Sequence, residues 1–147
     1  MIFSGFERCL YRRQKFESDP ERGFAVILEK KKEDVLKWFR PTKRDLHIYY
    51  SGESAYEPDF VVETKTIKMI CEIKRASEMQ HKEVLDKARA AAQWCRYATE
   101  HAKKYGGKPW SYLLIPDDAI SENKTLQGLA ASYTFDEVSG DTSKGLG

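Results

Sequence analysis

Tyr56–Lys74 reads Y-E-P-D-F-V-V-E-T-K-T-I-K-M-I-C-E-I-K, and the fold is decided by how this stretch pairs with itself. Two apolar, β-branched runs, Phe60–Val62 and Ile67–Ile73, flank a short polar link, which is the pattern of an antiparallel hairpin. A tight turn at Lys65-Thr66, or a slightly longer one around it, sets Thr64 opposite Ile67. Counting outward from there, Asp59 falls opposite Glu72. Side chains alternate faces along a strand, so Glu72 and Lys74 point the same way. Two carboxylates directly across a ladder repel each other. A divalent cation between them removes that repulsion, and hard oxygen ligands beside a lysine suit Mg²⁺ bound to a phosphate.

The acid-x-Lys spacing alone is weak, because it also occurs at Glu29/Lys31, Glu63/Lys65 and Glu122/Lys124. Glu72/Lys74 differs from these in ending a mostly apolar strand and in having Pro58-Asp59 at the matching cross-strand position. The competing reading is an exposed hairpin with an ordinary Glu–Lys pair.

On the N-terminal side of the hairpin, Phe3, Phe6, Leu10 and Tyr11 alternate with Arg8, Arg12 and Arg13 in a lead-in segment over residues 1–17. The basic trio suits either phosphate or a solvated face. Ser18-Asp19-Pro20-Glu21 starts a helix, with Glu21 able to close a capping box on Ser18. That helix is expected over residues 20–32, burying Phe24, Ile27 and Leu28 and ending in the cations Lys30-Lys31-Lys32. Val35–Phe39 is short and apolar with Trp38 in the core, residues 46–50 read as the first strand, and Ser51-Gly52-Glu53-Ser54 is a turn.

After the hairpin, Ser77-Glu78-Met79-Gln80 repeats the capping-box pattern and opens the longest helix, residues 78–105. Leu85, Ala88, Ala92, Cys95, Ala98 and Ala102 form its apolar stripe, flanked by Val84 and Ala91, and Gly106-Gly107 ends it. Trp110–Ile115 is a buried strand, parallel to Ile67–Lys74 because a long helix joins the two. A last helix is expected over residues 123–132, and the small, polar, glycine-rich residues 136–147 read as a flexible tail.

At 147 residues, with 41% hydrophobic and 33% charged side chains, the chain has the bulk of one globular domain. No apolar run approaches the ~20 residues of a membrane helix. A net charge of +2 leaves any nucleic-acid contact to local basic clusters. Cys9, Cys71 and Cys95 are odd in number, far apart and without zinc spacing, which fits a reducing, cytoplasmic setting. A G-x-x-x-x-G-K-[ST] loop is absent, so this stretch is no ATP-driven motor.

Pro58-Asp59 followed by Glu72-Ile73-Lys74 resembles the signature of the PD-(D/E)XK nuclease superfamily. Five stretches extend the likeness: K-F-E-S-D-P-E from Lys15, V-L-K-W-F-R-P from Val35, Y-E-P-D-F-V-V-E-T from Tyr56, A-A-Q-W-C from Ala91 and K-P-W-S-Y-L-L-I-P from Lys108. Together they resemble the C-terminal endonuclease domain of the restriction (Res) subunit of type III restriction enzymes, over about Phe3 to Phe135. The resemblance implies an α/β, restriction-endonuclease-like αβββαβ core, a mixed sheet flanked by helices, over residues 1–135. It also implies Mg²⁺-dependent hydrolysis of double-stranded DNA. Asp59 and Glu72 would hold the metal with the Ile73 carbonyl, and Lys74 would orient the attacking water or stabilise charge on the phosphate. Glu21, otherwise a capping residue, would be a further metal acid. Gln93 and Tyr97, one helical turn apart, would lie beside the catalytic strand. The helicase/ATPase motor of the same subunit and a methyltransferase (Mod) subunit would be the partners.

Arg89, Arg96, Lys103, Lys104 and Lys108 cluster on or near the long helix and are candidate phosphate contacts, with plain solvated charge as the alternative. Two further readings remain open from the residues. One is a noncatalytic docking module of the same fold, and the other is a stand-alone nuclease acting on another nucleic acid.

Overall fold

A computed structural model describes residues 2–143 apart from Gly5, Tyr11, Arg12 and Glu17. Tyr11 and Arg12 of the lead-in, and residues 144–147 of the expected tail, lie outside the described residues. The elements in chain order are β1 (Ile2–Ser4), β2 (Arg13–Lys15), α1 (Asp19–Leu28), β3 (Val35–Phe39), β4 (Ile48–Ser51), β5 (Ser54–Tyr56), β6 (Phe60–Thr64), β7 (Lys68–Lys74), α2 (Lys82–Lys103), β8 (Trp110–Pro116), α3 (Leu126–Tyr133), β9 (Phe135–Asp136) and β10 (Asp141–Thr142). The main sheet is mixed, with strand order β3-β6-β7-β8.

The hairpin β6–β7 has the expected register, pairing Phe60 with Cys71, Val61 with Ile70, Val62 with Met69 and Glu63 with Lys68. Thr64 closes it: its backbone N–H donates to the Ile67 carbonyl at 2.8 Å, and its hydroxyl accepts from the Ile67 N–H at 3.0 Å and the Thr66 N–H at 3.3 Å. A β-branched residue whose side chain bonds the turn backbone fixes the pairing, because slipping by one residue would move every apolar side chain to the other face. β8 runs parallel to β7 from Lys68↔Trp110 to Lys74↔Pro116. Helices cover both faces of β7, which is why five successive residues, Met69–Ile73, are buried rather than alternate ones.

One core lies between the sheet and α1 with α3, built from Phe24, Ile27, Leu28, Trp38, Phe60, Cys71, Leu113 and Leu129 among others. The second lies between the sheet and α2, where Ala88, Ala91, Ala92 and Cys95 meet Ile70 and Leu114. The alanines let the helix approach closely, so its apolar stripe lies where the sequence puts it.

Several boundaries differ from the sequence reading, and α3 starts at Leu126 and not at residue 123. The first strand of the main sheet is Val35–Phe39, paired with β6, whereas β4 and β5 form a separate two-stranded ribbon. Leu46–Tyr50 alternates well enough for a strand, but nothing local says which sheet it joins. α1 ends at Leu28 and not Lys32. Arg8 explains the early stop: its guanidinium donates to the carbonyls of Leu28 at 2.8 Å and Lys30 at 2.7 Å, taking up the free helix-end acceptors. α2 starts at Lys82, after a short 3₁₀ turn at Ala76–Glu78, and the Ser77 capping box does not form. The exit of β7 is pinned instead by Asp117, whose carboxylate accepts the Ala76 N–H at 3.1 Å. Finally, the segment read as a tail forms the β9–β10 hairpin, with Thr142 buried.

The lead-in packs on the domain. Phe6 meets Phe16 and Trp38 edge-on at centroid distances of 5.8 and 5.4 Å, and the Trp38 backbone bonds Arg8 and Leu10 at 2.9 and 3.0 Å. Trp38 is fully buried, yet its indole N–H makes no hydrogen bond. We therefore expect Trp38→Ala to cost about 3–5 kcal/mol. Trp38→Phe should cost under about 1.5 kcal/mol, because removing the unpaired donor offsets part of the lost burial. Urea unfolding midpoints of the two variants check this; equal losses would show that the indole nitrogen carries no penalty.

Candidate active site

The register brings Asp59 opposite Glu72, one residue beyond the last ladder pair at Phe60↔Cys71. Backbone pairing should reach one step further, to Ile73 and Pro58, but proline has no N–H to donate. Here the two acids accept backbone N–H groups in place of ladder carbonyls. The Ile73 N–H donates to Asp59 Oδ2 at 2.8 Å, and the Asp59 N–H donates to Glu72 Oε2 at 3.2 Å. Amide and carbonyl of one strand residue point to the same side, so the Ile73 carbonyl also faces the Asp59 strand, where Pro58 offers no donor.

Glu72 is 2% exposed, and its Oε1 is buried without a hydrogen bond. Burial pushes its carboxyl well above the usual range, the Asp59 charge adds to this, and Lys74 opposes it. Glu72 thus feels both Asp59 and Lys74, at the α2 side of the sheet. An orphaned buried carboxylate oxygen, a second carboxylate and an unpaired carbonyl direction make a hard-oxygen set that fits Mg²⁺, which keeps several waters in such sites. Among the described residues, no three His, Cys, Asp or Glu side chains converge as a metal-ligand group.

Two features were not read from the sequence. Arg40 follows β3 and is 12% exposed; its Nε donates to the Asp59 carbonyl at 3.0 Å, and Nη2 pairs with Glu21 and lies 3.9 Å from Asp59 Oδ1. The guanidinium also stacks near Phe16 and Phe60, at 5.5 and 5.1 Å from the ring centroids. It thus locks the backbone and carboxylate of Asp59 in place. The sequence signal was a single arginine between a buried strand and Pro41, inside a stretch already singled out. The second feature is a tyrosine pair. The Tyr56 hydroxyl donates to the Lys87 carbonyl at 3.3 Å. It neighbours Glu72 and Tyr112, and burial raises both phenols above their ordinary value. These rings close off Glu72 from the α2 side.

The remaining candidates scatter. Glu21 starts α1 by bonding its N–H to Ser18 Oγ at 3.4 Å, and its buried carboxylate pairs with Arg40. Gln93 Nε2 meets Tyr97 Oη at 3.4 Å on the exposed side of α2. Arg96 is paired twice with Glu137, at 2.9 and 3.2 Å. Lys108 binds Glu63 Oε2 and the Thr64 carbonyl, both at 2.8 Å. α2 ends beside Trp110, with Thr99 bonding that residue at 2.9 Å. Lys103, Lys104 and Lys108 therefore sit at the Thr64 end of the hairpin, the opposite end from Asp59. Arg89 is exposed on α2, between Lys87 and Gln93.

The buried Glu72 carboxylate has a pH signature. Its folded pKa is raised, so the folded state keeps a proton that the unfolded state loses above the ordinary value of 4.5. Stability relative to Glu72→Gln is then pH-independent below that value and falls as pH rises, by at most about 1.4 kcal/mol per pH unit. Chemical unfolding of both proteins in chelator across pH measures the difference; a gap that does not change with pH would remove the buried charge from the description. No protein-family model and no curated protein matches the chain.

Proposed function

We propose that the chain is a Mg²⁺-dependent endonuclease domain that hydrolyses DNA phosphodiester bonds, of the PD-(D/E)XK type. The observation that carries this is the Glu72 Oε1 atom, buried and without a hydrogen bond, facing Asp59 on a face that also bears Lys74. A purely structural hairpin has no use for two acids set across from each other with one buried oxygen left bare. The element order supports the same reading. With the ribbon set aside, α1, β3, β6, β7, α2 and β8 follow the αβββαβ order of that superfamily.

Asp59 and Glu72 hold the ion with the Ile73 carbonyl. Mg²⁺ bound there supplies Lewis acidity, lowering the pKa of water and offsetting phosphate charge. Asp59 is kept in position by Arg40 and the Ile73 N–H, so it need not reorganise on binding. Lys74 presents its ammonium to the phosphate, where it orients the attacking water or stabilises the growing negative charge. Tyr56 and Tyr112 keep bulk water from Glu72. Glu21 contributes through Arg40 and not as a ligand. By the resemblance, ATP-driven movement belongs to a helicase motor of the same subunit and sequence recognition to a methyltransferase partner.

The test separates metal binding from chemistry. Asp59→Asn should weaken Mg²⁺ binding at least about tenfold, since it removes a charged oxygen ligand. Lys74→Ala should leave Mg²⁺ affinity equal or slightly higher and lower cleavage by about 10²–10³. Titration calorimetry reads the first quantity and plasmid nicking the second. Full cleavage by Lys74→Ala, or unchanged affinity in Asp59→Asn, would overturn the assignment.

A further inference from the structure

Beside the candidate site, the β4–β5 ribbon, α2 and the start of the β9–β10 hairpin enclose an open groove of about 420 Å³. Tyr49, Tyr50, Arg89, Gln93, Asp86 and Glu137 line it. The groove is joined to Glu72 by a chain of contacts. Tyr50 meets Tyr56 edge-on at 5.9 Å, Lys87 lies over both rings at 5.2 and 5.4 Å, and Tyr56 neighbours Glu72.

Its two acids are both engaged by cations outside the lining. Asp86 is paired with Lys82 at 2.7 Å, and Glu137 is paired with Arg96 at 2.9 Å. Lys87 is likewise paired, with Glu83 at 3.2 Å. Arg89, in contrast, has no carboxylate within ion-pair distance among the described residues. Its guanidinium is seated against Gly140, where a Cβ would come within 2.6 Å of it and where φ is +73°. That backbone conformation and that closeness both call for glycine, so the hairpin makes room for the guanidinium. Arg89 is thus a cation in the groove that neither lining acid engages, since both acids are paired with other cations. Tyr49 stands at its wall with 61% of its surface exposed, an aromatic face of the kind on which bases stack.

Resting on the nuclease reading above, we infer that this groove binds a single nucleic-acid strand leading to the scissile phosphate, with a base stacked on Tyr49 and a phosphate at Arg89. Stacking and one guanidinium contact are sequence-tolerant, so the groove orients the strand without reading it.

The test is fluorescence anisotropy in chelator with a short fluorescein-labelled oligothymidylate strand and a duplex of equal length. Tyr49→Ala should weaken strand binding about tenfold with the salt slope unchanged. Arg89→Ala should weaken it comparably and reduce the slope of log affinity against log salt by about 0.7. Arg89→Lys should restore the slope, and melting curves by circular dichroism check that each variant is folded. Gln127→Ala, exposed on α3 across the sheet from the groove, should bind the strand as the parent does. Parent-like strand binding in both Tyr49→Ala and Arg89→Ala would overturn the groove, as would a parent that binds no strand. An equal loss on the duplex would overturn the single-strand assignment. Cleavage by the parent together with parent-like binding in both variants sinks the groove alone. Strand binding that depends on Tyr49 and Arg89, with no Mg²⁺-dependent cleavage, sinks the nuclease reading and leaves the groove.

Discussion

The burial of one carboxylate against another is the constraint on which this molecule turns. Glu72 lies beneath Tyr56 and Tyr112 in the middle of the sheet, and Asp59 faces it across the hairpin. An isolated buried charge costs several kcal/mol. Here the cost is held down by routes visible in the structure: the Asp59 N–H bonds one Glu72 oxygen, and the carboxyl is driven toward its protonated form. Neither route satisfies Oε1. The surroundings, by contrast, are rigid. The hairpin register, the Thr64 turn, the Arg40 clamp and the two-sided helical cover all hold the acids in place. The fold thus fixes firmly a pair that a bound cation would make favourable.

Pro58 is central to that organisation. In a continuous ladder its position would give an N–H to Ile73, and the strands would simply run on. Without that donor the carbonyl of Ile73 has no ladder partner, while the Ile73 N–H goes to the side chain of Asp59 and not to a backbone carbonyl. The same residue therefore ends the sheet beside the candidate site. Arg40 completes the arrangement from the next strand, satisfying the Asp59 backbone carbonyl and tying Glu21 into the same cluster.

How much of this was legible in the sequence follows the range of the forces involved. The hairpin register could be counted because it depends on local alternation and one short turn, and α1 could be placed because a cap and three apolar residues mark it. The stripe of α2 was equally plain. What failed depended on partners remote in sequence. Leu46–Tyr50 has strand chemistry, but only the tertiary fold excludes it from the main sheet. Ser77 is a good cap in isolation, yet Asp117 holds the chain at Ala76 and delays the helix to Lys82. The Asp136–Thr142 hairpin depends on backbone bonds and on the Arg96–Glu137 pair, neither of which has a hydrophobic pattern to announce it. At the site, Asp59, Glu72 and Lys74 share a hairpin and were found together. Arg40, Tyr56 and Tyr112 come from other elements and could not be placed by counting. Lys108 pairs with Glu63 across strands, a contact that spacing along the chain does not announce.

The cover over Glu72 is assembled from parts that are far apart along the chain. The β6–β7 hairpin needs only a short loop to form. Tyr112 arrives on β8, after the whole of α2, and closing that longer loop is the entropically slower event. The desolvation of Glu72 therefore depends on a contact between segments remote in sequence and not on the hairpin alone. Loosening β8 from β7 would return water to the acid, so the seam between these two strands is where solvent access to Glu72 is set.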